Sequence, residues 1–89
     1  MTINEALWDF PHAMQLKVMG AADAPLTELV IDILRRHLGA FDADAQLRRN
    51  PSSSGNYISL TASIVMENKE QVTAIYADLN ASPHVKVVF

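Results

Sequence analysis

The chain has 89 residues, a formal net charge of −3 and an apolar fraction of 49%. This length suits one domain with one core, and the composition is that of a folded globular protein, which disfavours a disordered chain. The sequence contains no cysteine, so disulfides, thiol nucleophiles and thiolate metal sites are excluded.

The first ten residues and the lengths of the apolar runs indicate where in the cell the protein is found. Residues 1–10 carry two acids, no lysine or arginine and no unbroken apolar stretch, unlike a secretory signal. No apolar run reaches the length of a membrane-spanning helix. We therefore expect a cytoplasmic protein without membrane association, with one domain over residues 1–89 and residues 1–10 as an N-terminal extension. The negative net charge disfavours nucleic-acid binding.

The first two elements follow from a change of hydrophobic period. Apolar and polar residues alternate over His12–Met19, which predicts a half-buried strand. Apolar residues then recur every three or four positions, which predicts a helix from about Pro25 to Leu38. Proline suits the first turn of this helix, and Gly39 suits the position just after its end.

Two further strands are predicted on either side of a polar stretch. The second strand, from about Asp44 to Asn50, contains Leu47 as its one large apolar residue, and its charges and Pro51 suit a sheet edge. The third strand, Tyr57–Met66, alternates over ten residues. This regular alternation is typical of a central strand with one solvent-facing side.

The last part of the chain predicts a second helix and a fourth strand. Asn68 is placed to cap the helix with Gln71 three residues later, ahead of a buried stripe of Val72, Ile75, Tyr76 and Leu79. The fourth strand ends the sequence, with Val85, Val87 and Phe89 predicted on one side and Lys86 and Val88 on the other.

The order strand, helix, strand, strand, helix, strand defines the fold class. It is the ferredoxin-like βαββαβ pattern of an α+β domain. With right-handed crossovers, the expected topology is a four-stranded antiparallel sheet of order 4-1-3-2 with two helices on one face. The lengths of the strands agree, because the two long alternating strands take the central positions.

A polar loop, Asn50–Tyr57, joins the second and third strands. Pro51 ends the pairing, and Gly55 permits the positive φ of a tight reversal, so a hairpin loop explains the composition. The alternative is an anion nest built from backbone amides and hydroxyls such as that of Ser54. A phosphate-binding Walker loop would need Gly-Lys-Ser/Thr opening a helix, whereas this loop opens a strand.

The residue types that carry catalysis or bind metals are scattered. The three histidines, His12, His37 and His84, lack metal-ligand spacing. Glu28 and Asp32 lie one helical turn apart, and solvated helix surface accounts for that pair as well as acid–base chemistry does. We expect no catalytic residue, no metal site and no cofactor.

The distribution of charge is less ordinary. None of the acids lies in the first, third or fourth predicted strand. The helix-free face of the sheet is expected to show Gln15, Lys17, Arg48, Tyr57, Ser59, Thr61, Ser63 and Lys86. Such a locally cationic face would suit a small acidic ligand or an acidic patch of a protein. RNA-binding domains of this topology carry several aromatic residues on the central strands, whereas this face offers only Tyr57.

Four short segments carry a family resemblance. Asp9-Phe10-Pro11, the run Leu16–Gly20, the run Pro51–Tyr57, and Glu70-Gln71-Val72 ahead of Ile75-Tyr76 resemble the YbeD-like family of small bacterial proteins. The resemblance covers about residues 9–89. It implies a ferredoxin-like fold similar to ACT regulatory domains, and some members are labelled as lipoate-related regulators.

The resemblance to ACT domains implies a ligand site where the first strand meets the first helix. ACT domains have a turn resembling Asp-x-Pro-Gly there, and this chain has Asp23-Ala24-Pro25-Leu26. Leucine in place of the glycine weighs against an amino-acid ligand, because glycine allows close approach. A plain strand-to-helix turn is the alternative for Gly20–Pro25.

The sequence therefore favours a non-catalytic regulatory or protein-interaction module, for which the resemblance implies a connection to lipoate metabolism. The alternative is an ACT-like sensor of small molecules. The fourth strand is expected to offer an apolar sheet edge to a homodimer or a partner protein, beside a patch of Met19, Val65 and Val88. The residues expected to contact a ligand or partner are Gly20, Asp23, Lys17, Arg48, Ser54, Gly55, Tyr57 and Lys86.

Overall fold

The computed structural model describes residues 9–89. The elements are β1 (His12–Ala21), α1 (Leu26–Leu38), α2 (Ala43–Gln46), β2 (Leu47–Pro51), β3 (Tyr57–Met66), α3 (Lys69–Ala81) and β4 (Val85–Val88). The four strands form one antiparallel sheet in the order β2-β3-β1-β4. The predicted ferredoxin-like topology is therefore confirmed, with the short helix α2 as an addition. The predicted N-terminal extension lies mostly outside the described residues.

The core lies between one face of the sheet and the helices α1 and α3. Alternate residues of β1 and β3, such as Leu16 and Leu60, are fully buried against the apolar stripes of both helices. The buried core residues are Leu16, Val18, Leu26, Val30, Ile33, Leu34, Phe41, Leu60, Ala62, Ile64, Met66, Val72, Ile75, Tyr76, Leu79 and Val88. Because side chains of a strand alternate between faces, the intervening residues point to the opposite side of the sheet.

The start of α3 and the end of α1 lie at the residues that the sequence predicts. The Asn68 side chain accepts a hydrogen bond from the Gln71 N–H at 2.8 Å, which caps the start of α3. The Gln71 side chain accepts from the Glu67 N–H instead of returning to Asn68, so the reciprocal capping box is shifted by one residue. At the end of α1, Gly39 has a φ of 81° and its N–H donates to the Arg35 carbonyl.

The predicted start of the second strand is wrong by three residues. Residues 43–46 form the short helix α2, and β2 begins at Leu47. Asp42 caps this helix, since its carboxylate accepts from the Asp44 N–H and its own N–H donates to the Gln46 side chain. Gln46 also donates to the Ser63 carbonyl at 3.0 Å, which ties α2 to β3.

The predicted faces of β4 are also wrong at the end of the strand. Val88 lies in the core with 5% exposure, whereas Val87 and Phe89 are 45% and 47% exposed. The cause is a register shift between Met19 and Gly20 of β1, which inserts one extra residue in β4. An extra residue moves the following side chains to opposite faces.

One core side chain is expected to lower the free energy of unfolding at alkaline pH. Tyr76 of α3 is buried, and burial raises the pKa of its phenol above the ordinary 10.0. A raised pKa in the folded state means that stability is fully present below the unfolded pKa and is lost as the pH rises through the folded pKa. We expect the free energy of unfolding to fall above about pH 10. Denaturant titrations should show a smaller fall in the Tyr76→Phe variant, and an equal fall in both proteins would contradict this account.

Candidate functional site

The face of the sheet opposite the helices is the candidate site, and we call it the open face. One row of side chains crosses all four strands. Thr61 of β3 lies in register with Arg48 of β2 and with Lys17 of β1. Lys17 in turn exchanges two backbone hydrogen bonds, of 2.7 and 2.8 Å, with Phe89 just beyond β4. The row therefore reads Arg48, Thr61, Lys17, Phe89.

A second row lies two residues along each strand. Ser59 of β3 is in register with Asn50 of β2 and with Met19 of β1, and Met19 is in register with Val87 of β4. Residues two apart on a strand share a face, so both rows belong to the open face. Farther along the central strands, Ser63 is opposite Gln15 and Val65 is opposite Ala13.

The two rows give the open face a gradient of polarity. Its β2 side carries Arg48 and Asn50, its centre carries hydroxyls, and its β4 side carries Val87 and Phe89. Lys17 lies at the boundary, with its Nζ 5.9 Å from the centroid of the Phe89 ring, within the range of a cation–π contact. A ligand on this face would therefore meet cationic groups on one side and apolar groups on the other.

Charge is segregated between the sheet and the rest of the chain. The four described strands hold Lys17, Arg48, Arg49 and Lys86, which are four of the seven lysines and arginines, and none of the ten acids. None of these four cations makes an ion pair with any of residues 9–89. On the helical side, by contrast, Arg36 bonds Asp32 at 2.6 Å, which raises the pKa of Arg36. The protein is acidic overall, but the formal charges carried by its strands are all positive.

A shallow depression lies on the cationic side of the open face. Its lining residues are Gln15, Lys17, Arg48, Arg49, Asn50 and Thr61. Each of these side chains can donate hydrogen bonds, and none is a carboxylate. The chemistry of the depression therefore suits anionic groups.

The predicted binding residues fall into two places. Lys17 and Arg48 lie on the open face, and Lys86 is exposed in the irregular part of β4. The other five, Gly20, Asp23, Ser54, Gly55 and Tyr57, lie at one end of the sheet. The structure brings that group together because Ala21 is in register with Tyr57 and the Ala22 N–H donates to the Asn56 carbonyl at 3.0 Å.

Gly20 is buried and closely packed on the side where a side chain would lie. A Cβ atom at this position would collide with the backbone oxygen of His84 and would lie 2.9 Å from Leu26 Cδ2. The absence of a side chain therefore serves close packing between β1, the start of α1 and the chain before β4. Its predicted contact with a ligand stays a prediction.

Several polar groups of the loop Ser52–Asn56 form hydrogen bonds within the turn itself. The Ser52 N–H donates to the Tyr57 carbonyl, and the Ser52 hydroxyl accepts from the Tyr57 N–H. The Gly55 N–H donates to the Ser52 carbonyl, and Gly55 has a φ of 78°. Because these amides are already bonded, the geometry favours the hairpin interpretation over the anion nest.

His37 has a structural partner that sequence reasoning missed. Its Nε2 lies 2.5 Å from Asp78 Oδ2, and the Gln71 side chain donates to the His37 carbonyl at 2.8 Å. These bonds join the end of α1 to α3. Glu28 and Asp32, one helical turn apart, were left open as an acid–base pair, and the bond from Arg36 to Asp32 agrees with the alternative of solvated helix surface. A helical stripe gives no information about which residue of another helix it meets.

No group of three or more histidines, aspartates or glutamates in residues 9–89 is placed to hold a metal ion. No helix in the same range is long and apolar enough to cross a membrane.

The sequence matches a protein family over nearly its whole length. The model of the family described as "Protein of unknown function (DUF493)" covers residues 5–89. The chain belongs to the DUF493 family. This result confirms the resemblance to small YbeD-like bacterial proteins, and bacterial relatives support it.

Relatives of this DUF493 chain match it from end to end. A UPF0250 protein of Paraburkholderia phymatum is 38% identical over 86 residues, covering 97% of this chain and 96% of the relative. A UPF0250 protein of Neisseria gonorrhoeae is 42% identical over 84 residues, covering 93% and 90%. The solution structure of protein HP0495 from H. pylori has a TM-score of 0.71 at 14% identity, covering 100% of this chain and 97% of that one. At this identity, the structural match supports the fold alone.

Proposed function

We propose that this DUF493 chain is a non-catalytic regulatory module that binds an acidic partner protein through the open face of its sheet. The observation that carries the proposal is the segregation of charge: the strands hold no acid and four cations that form no ion pair within residues 9–89, and two of these cations, Lys17 and Arg48, lie on the open face. Unpaired charges of one sign on a surface select an oppositely charged partner and speed its association.

A protein suits this face better than a nucleic acid. The exposed apolar side chains Val65, Val87 and Phe89 give a partner buried area in addition to charge selection. Single-stranded nucleic acids, in contrast, stack their bases on several aromatic side chains. The open face has Phe89 and Tyr57 at separate places, in different rows of the sheet.

The non-catalytic part of the proposal rests on how the reactive side chains are used. His37 is bonded to Asp78 between two helices, and the Ser52 hydroxyl is bonded within its loop. The Arg36 guanidinium is bonded to Asp32. These groups support the fold, whereas Lys17 and Arg48 on the open face form no ion pair within residues 9–89.

A small-molecule sensor is the second candidate, and the depression beside Lys17 and Arg48 favours it. A ligand with a carboxylate and an apolar chain would match these cations and the neighbouring apolar side of the face. Lipoate and octanoate each have a carboxylate and an apolar chain. The proposed connection to lipoate metabolism therefore belongs to this second candidate function. At a hundred times its Kd, a ligand adds about 2.7 kcal/mol of stability. A thermal-shift panel of lipoate, octanoate, amino acids and nucleotides tests this candidate.

Site-specific photo-crosslinking in the native cell tests the interaction proposal. A photoreactive amino acid at Ser59, in the centre of the open face, is expected to give a discrete protein adduct. The matched position is Ala77, which is exposed on α3 on the helical side. We expect no such adduct from Ala77. Equal adducts from both positions, no adduct from Ser59, or an adduct that nuclease removes would contradict binding of a protein to the open face.

A further inference from the structure

The outer edge of β4 carries backbone groups that no described element uses. The sheet order places β4 at one end, paired with β1 alone. Phe89 exchanges both of its backbone hydrogen bonds with Lys17. Residues of an antiparallel pair alternate between bonding inward and pointing outward. The N–H and C=O of the preceding residue, Val88, therefore point away from β1 toward the free edge.

The side chains along this edge define what a neighbouring strand would meet. On the open face lie Val87 and Phe89, which are about half exposed. Lys86 is exposed at the register shift and has no ion pair within residues 9–89. A strand laid beside β4 would thus meet apolar surface at alternate positions and a cation near its end.

We infer that the partner segment adds to the β4 edge as a fifth strand, with acidic and apolar residues in alternation. This inference rests on the proposed function, because the added strand is continuous with the apolar side of the open face. Backbone hydrogen bonds to Val88 would hold the strand, apolar side chains would cover Val87 and Phe89, and a carboxylate near the end of the strand would lie close to Lys86.

A second copy of this chain fits the edge less well. An in-register parallel pairing of β4 with another β4 would bring two copies of Lys86 side by side, and in either direction neither strand carries an acid to match them. Like charges on neighbouring strands are unfavourable. A different chain with acidic residues relieves the repulsion that self-pairing creates.

Amide hydrogen exchange of the labelled full chain, followed by NMR, tests the inference. The probe is a six-residue peptide alternating glutamate and valine with blocked ends, and its control alternates lysine and valine. At saturation with the glutamate peptide, exchange at the Val88 amide is expected to slow at least tenfold, while the Phe89 amide, already bonded, changes less than twofold. The lysine peptide is expected to bind at least tenfold more weakly.

Paired charge variants locate the contact. Lys86→Glu is expected to weaken the glutamate peptide at least fivefold, whereas Lys69→Glu, with the same charge change at the start of α3, should leave its affinity unchanged. The inference is overturned if the peptide shifts signals of Ser59 and Thr61 without slowing exchange at Val88, a result that leaves open-face binding standing. It is also overturned if both peptides bind equally, or if the free chain sediments as a dimer with its Val88 amide protected.

Discussion

Replacing Gly20 with alanine is expected to destabilise the protein by about 3 kcal/mol, at the upper end for overpacked sites. The added Cβ would collide with the His84 backbone oxygen and press on Leu26. Because a backbone atom cannot rotate away as a side chain does, the chain leading into β4 has to move. Urea denaturation followed by circular dichroism measures the loss.

Gly55→Ala is the matched control for that substitution. Gly55 has a positive φ of 78°, but a Cβ there would meet no atom within 4 Å. Its cost is therefore the conformational strain alone, about 1 to 2 kcal/mol. If Gly20→Ala costs no more than Gly55→Ala, the close approach of His84 to β1 is wrong.

Leu60→Ala is expected to cost about 3 to 4 kcal/mol, within the range for large-to-small changes in a core. Leu60 is fully buried on β3, where it faces the helices. Natural domains are stable by only about 5 to 15 kcal/mol, so this loss takes a large part of the total. The same denaturation experiment provides the measurement.

Thr61, the residue after Leu60 on β3, tests whether side chains on the open face contribute to stability. Thr61 points to the open face from a central strand, and we expect Thr61→Ala to cost no more than about 1 kcal/mol, the span of strand propensities. A loss similar to that of Leu60→Ala would mean that the open face is covered in the folded chain. The proposed binding surface would then be unavailable to a partner.

The sequence predicted well the elements whose pattern is local. Strand β3 was predicted with its observed bounds, Tyr57–Met66, because ten alternating residues fit the two-residue period of a strand and not the period of a helix. The Asn68 cap and the Gly39 end were equally accessible, because each depends on a residue type at a fixed distance from a helix. The sheet order then followed from handedness and from which strands were long.

The errors arose where a distant contact decides the local structure. The sequence of β4 does not indicate that the register of its pairing with β1 shifts between Met19 and Gly20. The side chains of Val87 and Val88 were therefore assigned to the wrong faces. Helix α2 was missed because its four residues are too few for a periodic signal, although Asp42 was available as a cap. Phe41 was likewise not recognised as a core residue.

The candidate site was predicted in composition but not in arrangement. The absence of acids from the strands is visible in the sequence, and it indicated a cationic face. The order of Arg48, Thr61, Lys17 and Phe89 across the sheet depends on the register of all four strands, which the sequence does not give. The gradient from cationic to apolar therefore emerged only from the structure.

The most direct test of the account is the affinity of the partner captured through Ser59 for two charge-reversed proteins. Arg48→Glu places a carboxylate on the cationic side of the open face, and Lys69→Glu makes the same change of charge at the start of α3. Binding measured by calorimetry at physiological salt is expected to weaken at least tenfold for Arg48→Glu, about 1.4 kcal/mol, and to change less than twofold for Lys69→Glu. Equal affinities for the two variants would contradict recognition of an acidic partner by the open face.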